Sequence, residues 1–260
     1  IIPKDVSMGS HLTLFQFEID KIKKKALEFQ PNPVTADDVI IMETNRGNIH
    51  LNFFSDNAPN HCLNFKKLAN SGFYDSTKFH RIIPGFMIQG GDINSRDKDP
   101  GNDGQGGPGW TVDAEFNNIS HKRGILSMAR SSDPNSAGSQ FFICVTDAPH
   151  LDGQYTVFGE VIKNLHVVDH IVKSPTDYIQ ARRMCKKSIP GKEDPEDWIS
   201  IRDSKTGEKL YSKIPKYKNK TDYEFEMRKK IKSDNPSLPL TIIKIRVLKQ
   251  SEVQNIETKG

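Results

Sequence analysis

Cysteine is scarce in this sequence. Cys62, Cys144 and Cys185 are odd in number and far apart, and Cys62 and Cys144 sit in apolar surroundings. That argues against a disulfide scaffold or a paired-cysteine metal site, and it fits a reducing compartment. Long apolar runs are missing too, so no membrane span is expected, and the opening IIPKDVSMGSHLTLFQF lacks the basic-then-apolar order of a signal peptide. The chain starts at Ile1 rather than Met, which leaves room for a leader upstream. The expected location is the cytoplasm. A net charge of +4 is too small, without a clustered patch, to argue for nucleic acid.

Other signatures fail on inspection. DGQGGPGW (103–110) is rich in glycine but lacks the Lys-Ser/Thr pair of a phosphate loop, and Pro108 removes an amide donor. It reads as a flexible surface loop. His166 and His170 have a metal-compatible spacing but no third ligand nearby in sequence. No GxSxG elbow or other nucleophile setting is present. No cofactor or metal is called for.

What the chain does contain falls into zones. In residues 1–36, Ile19, Ile22, Ala26 and Phe29 are spaced as one helix face, with Lys23, Lys24 and Lys25 opposite and Pro31 and Pro33 after it. Such a helix can lie on a membrane surface or pack on the neighbouring domain, and packing is favoured. Residues 37–174 carry the most pattern. VIIMET and GNIHLNFF read as two strands joined at Asn45-Arg46-Gly47. A helix follows, with Asp56 as its expected cap, Pro59 in its first turn and Gly72 as its stop. Short apolar runs come next, and a second helix is expected from Asn164. Many short strands with two helices argue for an antiparallel barrel or sandwich.

Residues 175–237 are charged and weakly patterned, with about sixteen Lys/Arg against eleven Asp/Glu. The strand-like LPLTIIKIRVLKQ then falls within 238–250, before a tail at 251–260. The expected reading of 175–237 is therefore an insertion before a closing strand, not an autonomous domain. It could also dock a partner or an acidic surface.

The most informative stretch is FHRIIPGFMIQGGD (79–92), where Arg81 stands in an otherwise apolar run. A guanidinium is almost never buried unpaired. Arg81 is thus either a salt-bridged surface residue or a group at the lip of an apolar pocket. GILSMAR adds Ala129 and Arg130, and GSQFFICVTDAPHLDGQYTVFGEV adds Gln140, Phe142, His150, Leu151 and Tyr155. On strands, Met87 and Gln89 share a face, as do Gln140 and Phe142. A face mixing rings, a thioether and two amides suits peptide binding better than core packing, where unpartnered glutamines are costly.

These three segments together resemble the cyclophilin family of peptidyl-prolyl cis-trans isomerases, over about residues 38–174 plus the strand near 239–249. PGWTVDAEFN and the glycine-rich loop look most like bacterial and archaeal members. The resemblance implies a closed eight-stranded antiparallel barrel capped by two helices. It also implies an isomerase that speeds X-Pro rotation in protein folding, acts on proline-containing peptides and unfolded or flexible proteins, and works as a monomer. It assigns catalysis to Arg81 with Gln89, and the proline pocket to Phe86, Met87, Phe142 and Leu151. Gln89 and Gln140 match residues that bond the substrate and orient the arginine, and Ala129 and Arg130 match a groove segment. Three positions depart from the best-known pattern. Arg130 stands where asparagine is common, His150 where a tryptophan helps bind cyclosporin, and Tyr155 where a histidine is usual. SSDPNSAGSQ is also one residue longer. Weak cyclosporin binding is the expectation. A rival reading keeps the groove but not the turnover, as a peptide-binding or assembly module.

Overall fold

The structure, a computed structural model, describes residues 8–97 and 99–257, which divide into two compact units. The first comprises the chain up to Lys173 and again from Leu240. It opens with helix α1 (Met8–Glu28), whose Ile19 and Ala26 are buried in the main apolar core. The helix face read from the sequence is therefore covered by protein. The lysine-rich side of α1 remains largely exposed at Lys24 and Lys25.

Strands β1 (Asp38–Thr44) and β2 (Gly47–Phe53) pair through the expected turn. Helix α2 (Pro59–Ser71) follows and ends at Gly72, whose φ of 85° is the left-handed conformation that glycine adopts without strain. Its N-terminus corrects one expectation. Asp56 is not the cap; Ala58 holds that position and offers no side-chain bond. The carboxylate of Glu115 caps the helix instead, accepting from the Asn60 and His61 amides at 3.0 and 2.9 Å.

The remaining strands are β3 (Arg81–Ile83), β4 (Met87–Gly90), β5 (Ile125–Met128), β6 (Phe141–Cys144) and β7 (Val157–Lys163), and helix α3 (Leu165–Val172) starts after Asn164 as its spacing predicts. One antiparallel sheet runs β11-β1-β2-β7-β5-β6-β4-β3, its first member supplied by Ile242–Lys249 from beyond the second unit. The two edge strands do not pair with each other along their length, so a fully closed barrel overstates the order. Instead the segment just before β3 joins the two edges. Phe79 donates its amide to the Leu240 carbonyl at 2.9 Å, and Ile242 donates to Thr77 at 2.8 Å. The product is a strongly curled sheet.

The core lies inside that curl. Ile82, Ile88, Ile143 and Leu126 are successive register partners on β3, β4, β6 and β5, and all are fully buried. Phe65 of α2 packs its ring 5.1–5.5 Å from those of Tyr74, Phe141 and Phe158. Burying a side chain of this size contributes about 2–3 kcal/mol. A buried ion pair, Lys66 Nζ to Asp38 at 2.7 Å, ties α2 to β1.

The second unit, Ser174–Pro239, is more ordered than its sequence texture predicts. It holds helix α4 (Asp177–Met184), a three-stranded sheet of β8 (Cys185–Lys186), β10 (Lys209–Lys213) and β9 (Trp198–Arg202), and helix α5 (Lys220–Lys230). Ile199, Ile201, Leu210, Tyr223, Met227 and Ile231 form its own apolar cluster. The tail after β11 also folds, as α6 (Gln250–Glu257) with Val253 buried.

Candidate active site

The site is built by register. Ile83-Pro84-Gly85-Phe86 is a tight turn closed by the Phe86 amide on the Ile83 carbonyl at 3.0 Å, with Gly85 at φ 75°. Proline in the second place and a left-handed glycine in the third are the requirements of a type II turn. That turn sets Arg81 opposite Gln89. Gln89 is opposite Phe142, and Phe142 opposite Ser127. Arg81, Gln89 and Phe142 therefore form one row across three strands, on the face opposite Ile82, Ile88 and Ile143. The exposed Arg81 thus stands beside apolar residues without being buried among them.

Around this row lies a cavity of about 160 Å³. Met87, Phe142 and Leu151 supply its buried part, Phe86, Ala129 and Tyr155 are half-buried, and Arg81, Gln89 and Arg130 bring the polar groups. Nine of the residues expected at the site thus converge. Two sit slightly apart. His150 is exposed and its ring packs against Phe86, centroids 5.5 Å apart and planes tilted by 39°. Gln140 accepts a bond from the Gln89 amide at 3.0 Å and donates to the Gly104 and Gly106 carbonyls at 3.0 and 2.9 Å. It therefore fixes both a rim residue and the glycine-rich loop. That loop is tied down, where the sequence suggested a flexible one.

Phe142 is held from two sides. The Tyr155 ring meets it edge-on at 5.8 Å, and His121 stacks nearly parallel at 6.0 Å. His121 is itself pinned, Nδ1 to Asp152 at 2.9 Å and Nε2 to Ser127 Oγ at 2.9 Å. Burial lowers the pKa of His121, with Asp152 opposing that shift, so the ring packs as a neutral imidazole. Arg130 lies over the Tyr155 ring at 4.6 Å and donates to the Gln154 carbonyl. Sequence reasoning missed His121. Its only signal was a histidine six residues before the β5 serine, with nothing to mark the remote aspartate.

The arrangement offers hydrogen bonding and shape rather than a nucleophile. Burial pushes the Cys144 thiol, below the cavity, up to about 12. A second, larger cavity of about 540 Å³ adjoins the first and shares Gln89, Ala129 and Arg130 with it. It is lined by the glycine-rich loop and Trp110, whose indole donates to Asn64 at 2.8 Å.

With this geometry in place, comparison with known proteins is informative. The sequence model of the family described as cyclophilin type peptidyl-prolyl cis-trans isomerase matches residues 39–203. A peptidyl-prolyl cis-trans isomerase of Synechococcus elongatus is 46% identical over 147 residues, covering 53% of this chain and 96% of the relative. One from Helicobacter pylori is 41% identical over 151 residues, covering 56% and 88%. Among solved structures, a cyclophilin type isomerase of Cryptosporidium parvum, crystallised in the presence of the dipeptide Ala-Pro, is 27% identical with a TM-score of 0.55. That likeness covers 81% of this chain and 98% of the other. Most of the chain matches the family's sequence model, and the curled sheet matches its fold, so this chain belongs to the cyclophilin-type peptidyl-prolyl cis-trans isomerases.

Proposed function

We propose that Arg81 drives isomerisation of X-Pro bonds in flexible protein segments, with the proline ring seated on Phe86, Met87, Phe142 and Leu151. The observation that carries this reading is the row itself, a guanidinium beside an apolar cavity and next to a fixed amide. Rotation about a peptide bond must cross about 18–20 kcal/mol because it breaks amide resonance. No covalent bond has to be made or broken. The enzyme needs only to bind the twisted amide more tightly than either planar isomer. As the bond twists, the proline nitrogen recovers its lone pair, and a guanidinium placed there can donate to it. The apolar groups hold the ring while the rest of the peptide turns. Lowering the barrier by about 7 kcal/mol would accelerate the exchange by roughly five powers of ten.

Gln89, oriented by Gln140, acts beside Arg81 on the substrate backbone, and Ala129 and Arg130 flank the bound chain. His150 and Tyr155 shape the pocket edge. With an imidazole at 150, cyclosporin binds weakly. The active species is a monomer, and its clients are proline-containing segments of folding proteins. The Ala-Pro dipeptide used with the Cryptosporidium relative supports that substrate class.

Exchange NMR on an Ala-Pro peptide, without a coupled protease, tests this directly. Wild type should exchange the cis and trans signals, and Arg81→Ala should lose about 10²–10³ in kcat/KM, as removal of one transition-state donor does. A folded wild type that binds the peptide without accelerating exchange would establish the binding-module reading instead.

A further inference from the structure

The second cavity has a charge pattern that the isomerase chemistry does not require. Lys23 and Arg130 line it, and no aspartate or glutamate does. The rest of its wall is polar or neutral: backbone of the glycine-rich loop, the Trp110 indole, and the hydroxyls of Ser131 and Ser136. Lys23 comes from α1, ahead of residue 39 where the family match begins. It is half-buried and has no ion pair among the described residues. None of the acids on that helix lines the cavity, and among the described residues none forms an ion pair with Lys23. Asp20 accepts from Gln16 at 2.9 Å, and Glu28 faces Lys24 at 3.9 Å.

Arg130 is fixed without being neutralised. Its donors go to the carbonyls of Ser131, Ser132 and Gln154, and its plane rests on Tyr155. Carbonyls satisfy hydrogen bonds but leave the full positive charge in place. Two cations in one concavity, with no anion among its walls, create a focused positive potential. Because the cavity shares Gln89, Ala129 and Arg130 with the proline pocket, a peptide seated in one passes the mouth of the other.

We infer that this cavity is an anion-accepting subsite, in which Lys23 and Arg130 select proline peptides carrying a carboxylate or phosphate side chain a few residues from the X-Pro bond. The inference rests on the peptide-groove reading above and adds a specificity to it. The glycine-rich loop gives the subsite width, while the hydroxyls of Ser131 and Ser136 are spent inside their own turn, Ser131 Oγ donating to Ser136 Oγ at 2.7 Å and Ser136 Oγ to the Asp133 carbonyl at 2.6 Å, so the charge selection falls to Lys23 and Arg130. Lys23 is the discriminating group, because it belongs to the extension and not to the matched domain.

The test is a peptide series in which glutamate, phosphoserine, glutamine or lysine is placed in turn at each position flanking Ala-Pro. Dissociation constants from chemical-shift titration and exchange rates are read on the same samples. At one position the anionic peptides should bind about fivefold more tightly than the glutamine peptide at low salt. That advantage should shrink as salt shortens the Debye length. Lys23→Glu should abolish or invert the preference, and Lys24→Glu, on the same helix but outside the cavity, should keep it. Circular dichroism confirms that both variants are folded. Tightening by phosphoserine alone identifies phosphate as the selected group, and tightening by glutamate as well identifies any anion. The idea is overturned if no position favours an anion, or if the preference survives in Lys23→Glu. Absence of exchange with any peptide strikes the isomerase reading alone, since the dissociation constants still decide the subsite.

Discussion

Arg81 and Asp103 show how differently two charged side chains are placed by the same fold. Arg81 gains its position from strand alternation, since a period of two puts it on the face opposite Ile82 and the Pro84-Gly85 turn sets its partner. Asp103 gains nothing comparable. It is half-buried in the loop beyond β4, and burial raises its pKa to about 6, with Asp92, Asp97 and Asp99 adding to the shift and Lys78 opposing it. A carboxyl whose folded pKa exceeds its unfolded value destabilises the fold once the pH rises above both. Asp103→Asn should therefore raise the melting temperature at pH 7. Discounted for solvent screening, the gain is about 1 kcal/mol, or about 2–4 °C. Calorimetry of the two proteins checks it, and an unchanged or lower midpoint at pH 7 would refute the idea. At this scale the sequence was readable where side chains alternate on strands: Met87 with Gln89, and Gln140 with Phe142. It was silent where the partner is remote. Nothing near His121 announces Asp152, and nothing near Gln140 announces the carbonyls of Gly104 and Gly106.

Among the elements, α2 illustrates the same limit. Pro59 and Gly72 mark its ends correctly, because both act through local backbone geometry. Its cap was not legible, because Glu115 reaches it from 55 residues away. Helix N-termini leave amides unpaired, and a carboxylate there satisfies them and opposes the helix dipole. Glu115 serves the Asn60 and His61 amides and also bonds His61 Nδ1 at 2.7 Å. Burial alone would raise its pKa, but the bonds from His61 and Asn60 hold it below the usual carboxylate range. Glu115→Ala should destabilise the protein by about 2–3 kcal/mol, combining a lost cap with a buried imidazole left unpartnered. Urea unfolding at pH 7 measures this, and a loss below about 0.5 kcal/mol would show that water replaces the carboxylate. Strand β11 offers the opposite case. Its alternation was plain, yet Ile242 and Ile245 are both fully buried although they stand three positions apart, an offset that puts two residues on opposite faces of a regular strand, because the register with β1 shifts between Glu43 and Thr44. Bulges of this kind leave no mark in an apolar pattern.

For the whole molecule, the charged segment and the buried histidines make separate demands. The second unit leaves and rejoins the chain as an antiparallel bridge between Thr176 and Pro236, with Ser237 donating to Pro175 at 2.9 Å. A short glycine-rich turn in place of residues 177–235 can span those ends. No residue lining the proline cavity comes from this unit. The shortened chain should exchange Ala-Pro peptides within about twofold of wild type, which exchange NMR would show; failure to fold would mark the unit as integral. The sequence hid this unit's structure because its apolar residues are spread thinly among charges, and only the fold gathers Ile199, Leu210 and Tyr223 into one cluster. Between pH 7 and 5, above the range where Asp38 and Glu115 with their lowered pKa values lose their charge, acid stability depends instead on His61, His80 and His121, all of which have pKa values lowered first by burial. A histidine with a depressed folded pKa binds its proton more readily when unfolded. Its stabilisation is complete above about pH 6.5 and is lost as the pH falls toward the folded value. Asp103 works against this trend, because its raised folded pKa adds stability as the pH drops from about 6 to the unfolded value of 3.8. The melting temperature should be level from pH 7 to 8 and decline below about pH 6.5, and the decline should be steeper in Asp103→Asn. Scanning both proteins by calorimetry from pH 8 to 5, above the range of the other carboxylates, separates the two contributions. A flat profile through pH 5 would mean that the buried imidazoles are protonated in the folded protein, and that the stacking on Phe142 tolerates the charge.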